Sequence, residues 1–143
     1  MIISNDKKNI GKFVSVEKGV DTDIKTDFTR DSFSLPLEGF KSLEITNVIA
    51  GPVAGRILTN LGVEVIKMEP PNGEISRPLG VGYFQNLNRN KKGISVNTKT
   101  EDGKEIARSL IKEVDIFLEN MRPGAAERVG LGKKDLNELN PGI

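Results

Sequence analysis

Residues 43–68 read LEITNVIAGPVAGRILTNLGVEVIKM, and this stretch decides the fold. The run 43–50 predicts a β-strand, which Gly51 and Pro52 end; Pro52 suits the first position of a helix. That helix has an apolar face at helical spacing, formed by Val53, Ala54, Ile57, Leu58 and Leu61. The apolar run 63–68 predicts a second strand. Strand, short helix and strand with tight connections form a βαβ unit, whose strands lie parallel.

The rest of the chain continues this pattern. Residues 70–93 form a long connection rich in Gly, Pro and Asn, which in a compact domain is usually functional or disordered. Thr100 is placed to cap a helix whose apolar face carries Ile106, Leu110 and Ile111. The other predicted elements are two strands and two short helical pieces, at 94–97, 114–118, 125–129 and 133–139. The sum is an α/β fold, an incomplete Rossmann-like parallel sheet of three or four strands.

Two segments differ in composition. Residues 1–36 mix charged and hydroxyl side chains with scattered apolar ones, which predicts a polar, flexible extension closed by Pro36. Residues 37–143 carry the strand and helix signals and are expected to form the sheet domain.

Two absences narrow the chemistry more than the average composition does. The 143 residues include neither cysteine nor histidine, which excludes disulfides, zinc-thiolate sites, a cysteine nucleophile and a Ser-His-Asp triad. We therefore expect no metal site. A net charge of +1 does not predict a large positively charged surface for binding nucleic acid or an anionic membrane. Without a long apolar run or a secretory signal, the expected location is the cytoplasm.

Candidate ligand contacts follow from strand ends. Lys99 comes after the strand 94–97 and Arg122 after the strand 114–118. Ligand loops of parallel sheets lie beyond the carboxyl ends of the strands, so these two cations from neighbouring loops would suit a ligand with several phosphates. The Gly51-Pro52 turn either brings backbone close to a ligand or serves packing alone; spacing leaves both readings open. No pair of carboxylates identifies a nucleophile.

Several ordered blocks resemble the opening of the family III CoA-transferases, which include formyl-CoA, carnitine and bile-acid CoA-transferases and α-methylacyl-CoA racemases. The resemblance covers residues 37–143. The blocks are NVIAGP (47–52), LGVEVIKMEPP (61–71), NRNKK (88–92), VNTKT (96–100), VDIFLENMRPG (114–124), GLG (130–132) and LNP (139–141).

The resemblance implies a sheet domain that binds CoA or acyl-CoA, in a subunit interlocked with its twin as a homodimer. The thioester is expected near Ile49 and Ala50. The CoA nucleotide is expected at two blocks and one further arginine: Asn97, Thr98 and Lys99; Asn120, Met121 and Arg122; and Arg128.

The reaction that the resemblance implies moves CoA from an acyl-CoA to a carboxylic acid. An aspartate attacks the thioester and forms a mixed anhydride, then an aspartyl-CoA thioester. That aspartate corresponds to a position beyond Ile143, so no catalytic residue is expected in this chain. Two residues depart from the formyl-CoA enzymes, which have glutamine at Ile49 and arginine at Pro70. Ile49 counts against a formyl or oxalyl substrate, and Pro70 removes one of the CoA contacts that the resemblance implies.

Three interpretations follow. The first is the CoA-binding amino-terminal part of a longer CoA-transferase, truncated before the nucleophile and inactive alone. The second is a non-catalytic CoA-binding or assembly subunit, whose sheet is completed by a second chain that pairs with its exposed edge. The third is a racemase-type relative, which would need a His/Asp pair from outside this sequence.

Overall fold

Four parallel strands form the centre of the fold in a computed structural model, which describes residues 34–143. The strands are β1 (Lys41–Ile45), β2 (Glu64–Glu69), β3 (Lys92–Ser95) and β4 (Ile116–Glu119), in the order β3-β2-β1-β4 across the sheet. The predicted parallel α/β fold is confirmed. The predicted flexible extension, residues 1–36, lies outside the described residues except for its last three.

Five helices and a short 3₁₀ turn connect or follow the strands of the described part. They are α1 (Ala50–Asn60), the 3₁₀ turn (Arg77–Leu79), α2 (Val81–Asn88), α3 (Glu101–Ile111), α4 (Ala125–Arg128) and α5 (Lys133–Leu139). The predicted cap of α3 is confirmed, because the Thr100 hydroxyl accepts a hydrogen bond from the Gly103 amide at 3.1 Å. Among residues 34–143, none of these helices is long and apolar enough to cross a membrane.

The prediction that residues 70–93 form one long loop is wrong. The segment contains the 3₁₀ turn and α2, which packs on α1. Local sequence hides α2, because it is eight residues long, contains Gly82 and has no side-chain cap. Tertiary contacts stabilise it instead: Leu87 is buried, and Arg56 of α1 donates to the Asn86 carbonyl at 3.1 Å and to its side-chain oxygen at 3.0 Å.

The first strand is shorter than predicted. It ends at Ile45 rather than Ala50, because Val48 has a φ of +67° and turns the chain out of the sheet before α1 begins. The run Val48-Ile49-Ala50 is apolar and exposed, but it comprises the last two residues of a connection and the first residue of α1. The apolar composition that suggested a strand therefore belongs to a loop at the carboxyl edge of the sheet.

The two faces of the sheet differ in chemistry, since alternate residues of a strand point to opposite sides. One face carries Leu43 and Met68 and packs under α3, with Ala107 and Ile111 fully buried. Each such leucine or isoleucine contributes about 2 kcal/mol through burial. The predicted apolar face of α3 is wrong in one member, because Ile106 is 46% exposed.

The opposite face, under α1, is polar and buried. The helix rests on it through Gly51, Pro52 and Gly55, while Ile57, expected on the apolar face, is 51% exposed. A Cβ at Gly55 would overlap the Glu44 carboxylate, and one at Gly51 would overlap the Thr46 side chain. Glycine therefore serves close helix–strand packing here, which favours the packing reading of the Gly51-Pro52 turn. The helix contacts the sheet by its small face rather than its apolar one.

Candidate functional site

The connections after the four strands lie along one edge of the sheet, which we call the carboxyl edge. Crossing it from β3 to β4, one meets residues 96–100, 70–76, 46–49 and 120–124 in turn. All predicted ligand residues except Arg128 lie in these connections or at the first residue of α1. Parallel α/β sheets bind ligands at this edge.

Lys99 and Arg122 are not in neighbouring loops, contrary to the prediction. They follow β3 and β4, the two outer strands, with β2 and β1 between them. With strands about 4.8 Å apart, three spacings place the two connections about 14 Å from each other. A compact phosphate group cannot bridge them, whereas an extended ligand lying along the edge can contact both.

The connection from β1 to α1 ends at Ile49, next to Ala50, and it occupies the middle of the edge. Ile49 is 52% exposed and precedes the first helical residue, Ala50. Val48 is in the left-handed region, with φ +67°. A β-branched residue in that region is strained by about 1–3 kcal/mol and persists only where its surroundings hold it.

Asn120 holds this connection from the side of β4. Its side-chain oxygen accepts a hydrogen bond from the Asn47 amide at 2.8 Å, and its side-chain nitrogen donates to the Asn47 carbonyl at 2.9 Å. Both polar atoms of the Asn120 side chain are therefore engaged with the backbone of Asn47. Asn120, predicted to contact the CoA nucleotide, is here a support for the loop next to Ile49.

Glu74 holds the same connection from the side of β2, and sequence reasoning missed it. It is 2% exposed, and its carboxylate accepts from the Val48 amide at 2.7 Å, from the Ser76 amide at 3.1 Å and from the Ser76 hydroxyl. Its position in a Gly- and Pro-rich segment gave no signal, because the contact with Val48 spans 26 residues of sequence.

The connection after β3 presents Lys99 to solvent. The Asn97 side-chain oxygen accepts from the Lys99 amide at 3.2 Å, and the Asn97 carbonyl accepts from the Thr100 amide at 3.1 Å. These bonds fix a tight turn in front of α3. Thr98 is half-buried, whereas Asn97 and Lys99 are exposed. Within residues 34–143 Lys99 forms no salt bridge, which leaves its ammonium group available to an anion.

Met121 and Arg122 line an open cleft of about 480 Å³ beside β4. The Glu119 carboxylate accepts from the Met121 amide at 2.6 Å and so shapes the turn. Other cleft residues come from the last three elements and from the chain end: Phe117, Gly124, Glu127, Leu131, Leu136 and Ile143. Arg128 is exposed at the end of α4 and is not among the residues that line this cleft. The structure thus brings Met121 and Arg122 together, while the Arg128 guanidinium lies beside Gly124 at the border of the cleft.

A buried charge cluster of three side chains lies under α1, and sequence reasoning missed it. Glu44, fully buried, is 3.1 Å from the Lys67 ammonium and 2.7 Å from that of Lys91. Lys67 also donates to the Thr46 carbonyl at 2.9 Å, and Lys91 donates to the Pro52 carbonyl at 2.8 Å. The cluster joins both inner strands, α1 and the chain before β3. A lysine within the apolar run 63–68 was its one sequence signal.

Lys91 is largely shielded from water in this cluster. Removal from water lowers the pKa of its ammonium group below the ordinary value, and the bond to Glu44 opposes this. One carboxylate faces two lysines, so the cluster carries excess positive charge when all three groups are ionised. The cluster is buried and contributes to the packing of the fold, and it is not a solvent-exposed charged patch.

Within residues 34–143 no group of three acidic side chains is close enough together to bind a metal ion.

A profile described as CoA-transferase family III matches residues 37–143. Because that match spans most of the chain, this protein belongs to CoA-transferase family III.

Individual relatives agree with the family match. The chain is 42% identical over 118 residues to "Probable fatty acyl-CoA transferase Rv3272" of Mycobacterium tuberculosis, which covers 76% of this chain and 30% of the relative. It is also 42% identical over 114 residues to a formyl-CoA:oxalate CoA-transferase of Streptomyces avermitilis, covering 75% of this chain and 28% of the relative. The chain thus spans under a third of the length of these relatives.

Solved structures share the fold. A crystal structure of Rv3272 aligns with a TM-score of 0.73 at 44% identity, covering 77% of this chain and 31% of that one. A CAIB/BAIF family protein from Brucella suis aligns with a TM-score of 0.71 at 35% identity, covering 74% and 31%. The fold described above is therefore shared with solved members of the family.

Proposed function

We propose that this chain is the CoA-binding, amino-terminal part of an acyl-CoA:carboxylate CoA-transferase. The observation that carries the proposal is the placement of Ile49-Ala50, residues 97–99 and residues 120–122 along one carboxyl edge. These three groups of residues can contact three parts of one extended ligand at the same time. The thioester end would lie against Ile49 and Ala50, and the phosphates would lie against exposed cations.

The site assignment is part of this proposal. Lys99 and Arg122 would contact phosphate oxygens, and Asn97, Thr98 and Met121 would shape the two turns. Arg128 would add a charge beside Gly124. Asn120 would act through Asn47. The distance across the sheet supports an elongated ligand such as CoA over a simple phosphate. No residue of this chain is assigned as the nucleophile, which in this proposal is an aspartate outside the sequence.

The remaining parts of the proposal concern the assembled protein. The donor is an acyl-CoA and the acceptor a carboxylic acid, in a cytoplasmic homodimer of interlocked subunits. The exposed apolar Ile49 at the thioester position favours an apolar acyl group over formyl or oxalyl.

Isothermal titration of the chain with CoA tests the proposal. Lys99→Ala and Arg122→Ala should each weaken binding about 10- to 100-fold, since each removes charge-assisted bonds worth about 1.5–3 kcal/mol. Matched controls are Lys112→Ala and Arg89→Ala, which remove exposed charges at the opposite edge, after α3 and before β3. The controls should bind as the unaltered chain does. Equal affinity in all four variants would contradict the assignment.

A second candidate is a non-catalytic CoA-binding or assembly subunit. The outer edges of β3 and β4 support it, because within residues 34–143 no further strand pairs with either of them. A second polypeptide that co-purifies with the chain from its source and carries the rest of the fold would support this candidate. A protein of several-fold larger intact mass that contains this sequence would contradict it.

A further inference from the structure

The strained residue of the β1–α1 connection immediately precedes the proposed thioester contact. Val48 has φ +67°, and its side chain is 42% exposed, so packing of the side chain does not account for the conformation. A β-branched residue leaves the left-handed region unless other bonds hold the backbone there. The bonds that hold Val48 therefore set where Ile49 and Ala50 lie.

Glu74 supplies the bond to Val48 itself. Its buried carboxylate accepts from the Val48 amide at 2.7 Å, and the Ser76 amide and hydroxyl fix the same carboxylate. A carboxylate that accepts three hydrogen bonds away from water is a strong acceptor. Its geometry is determined by the protein rather than by solvent.

A chain of contacts fixes Glu74 in turn. The Glu74 amide donates to the Glu69 carboxylate at 3.0 Å, and Arg77 binds that carboxylate with both Nε and Nη2, at 2.5 and 2.7 Å. The Arg77 guanidinium lies over the Phe84 ring, 4.0 Å from its centre. The support of Val48 thus extends from β2 to α2.

The two sides of the connection are held by different strands. Asn120 binds Asn47 from the end of β4, and Glu74 binds Val48 from the connection after β2. Together they fix the two consecutive peptide units between Thr46 and Val48. Neither side chain needs to touch a ligand to control the position of the loop.

We propose that Glu74 is a positioning residue for acyl-CoA binding: it holds the Val48 amide so that Ile49 and Ala50 face the thioester. This inference rests on the proposed function of the edge. Glu74 was not among the predicted ligand contacts. Its buried carboxylate would act on the ligand indirectly, through the backbone of Val48.

The first experiment measures the contact without any ligand. In an amide nitrogen–proton spectrum of the 143-residue chain, the Val48 amide proton should lie downfield because it donates to a carboxylate. Glu74→Ala should move it upfield, and Glu74→Gln, which keeps a neutral acceptor oxygen, should move it part of the way. Glu113→Ala, at an exposed position after α3, is the control and should leave it in place.

The second experiment measures the consequence by titration with acetyl-CoA, with affinities corrected for the folded fraction. Glu74→Ala should raise the dissociation constant about tenfold, with a smaller rise for Glu74→Gln. Val48→Gly added to Glu74→Ala should restore part of the affinity, because glycine adopts φ +67° without strain. A purely structural role for Glu74 predicts no such rescue.

Unchanged Val48 resonance and unchanged affinity in both Glu74 variants would overturn the inference. If Glu74→Ala does not fold, Glu74→Gln still tests the inference, through the partial upfield shift of the Val48 amide proton and the partial loss of acetyl-CoA affinity. If the unaltered chain binds no CoA derivative, the proposed function fails. The Val48 resonance and its dependence on Glu74 then still show whether the carboxylate holds the loop.

Discussion

Glu44 and Lys67 face each other across β1 and β2, where the parallel register pairs them directly, with 3.1 Å between carboxylate and ammonium. Lys91 approaches the same carboxylate from the chain before β3, at 2.7 Å. The buried cluster therefore has one acid and two bases. This imbalance makes its members unequal in their effect on stability.

Removal of the acid should cost far more than removal of one base. Glu44→Gln leaves two buried ammonium groups without a counter-charge, and we expect it to lower the free energy of unfolding by about 3–5 kcal/mol. Lys67→Met leaves a one-to-one pair of Glu44 and Lys91, with a loss of about 1–2 kcal/mol from the bond to Thr46. Urea unfolding measures both. Equal losses, or a larger loss for Lys67→Met, would show that the excess positive charge does not affect the free energy of unfolding.

Close packing of α1 on β1 gives a second prediction, with two glycines as a matched pair. Gly55→Ala places a methyl group on the Glu44 carboxylate and should destabilise the protein by at least about 2 kcal/mol. Gly82→Ala in α2 meets nothing within 4 Å and should stabilise it by about 0.5 kcal/mol. Thermal unfolding of both variants is the measurement. A Gly55→Ala protein as stable as the unaltered chain would refute the close contact.

Asn120 gives a third prediction because it makes two hydrogen bonds to the backbone of one residue, Asn47. Asn120→Ala should lower the free energy of unfolding by about 1–2 kcal/mol and speed hydrogen exchange at the Asn47 amide. Asn120→Asp keeps an acceptor for that amide but turns a carboxylate oxygen towards the Asn47 carbonyl. Asn60→Ala, at the exposed end of α1, is the control for loss of an amide side chain. Slow exchange at Asn47 in Asn120→Ala would contradict the prediction.

Acid stability gives a fourth prediction through Glu69 and Arg77. Burial raises the pKa of Glu69, but the bonds from Arg77 and the Glu74 amide outweigh it, so that the pKa lies below its ordinary 4.5. The folded state then binds fewer protons than the unfolded state. The resulting stability is present above the unfolded pKa and is lost as pH falls through the folded one.

Arg77→Met should remove this contribution. We expect a loss of about 1 kcal/mol at pH 7, since Arg77 is half-exposed and water weakens its pairing. The difference from the unaltered chain should shrink as pH falls below 4.5 and Glu69 becomes protonated in both proteins. Urea unfolding at pH 7 and pH 3 measures it. A difference that stays constant with pH would assign the loss to the contact of Arg77 with Phe84 instead.

Local signals in the sequence were enough for the order of the four strands and of every helix except α2, but not for the side chains that fix the carboxyl edge. The Thr100 cap and the apolar strands depend on residues close in sequence, and both were predicted. The support of Val48 by Glu74 and the cluster around Glu44 depend on contacts across 26 and 47 residues. Hydrophobic periodicity predicted the helix α1 but not the face by which it packs, because Gly51 and Gly55 rather than large apolar residues face the sheet.

The central claim is that an extended CoA molecule lies along the carboxyl edge from β3 to β4. Titration of the isotopically labelled chain with CoA, followed in amide nitrogen–proton spectra, tests it most directly. We predict shifts that cluster at residues 46–50, 97–99 and 120–122, with none at the opposite edge near Lys112 and Arg89. Shifts confined to the opposite edge, or no shifts at saturating CoA, would contradict the account.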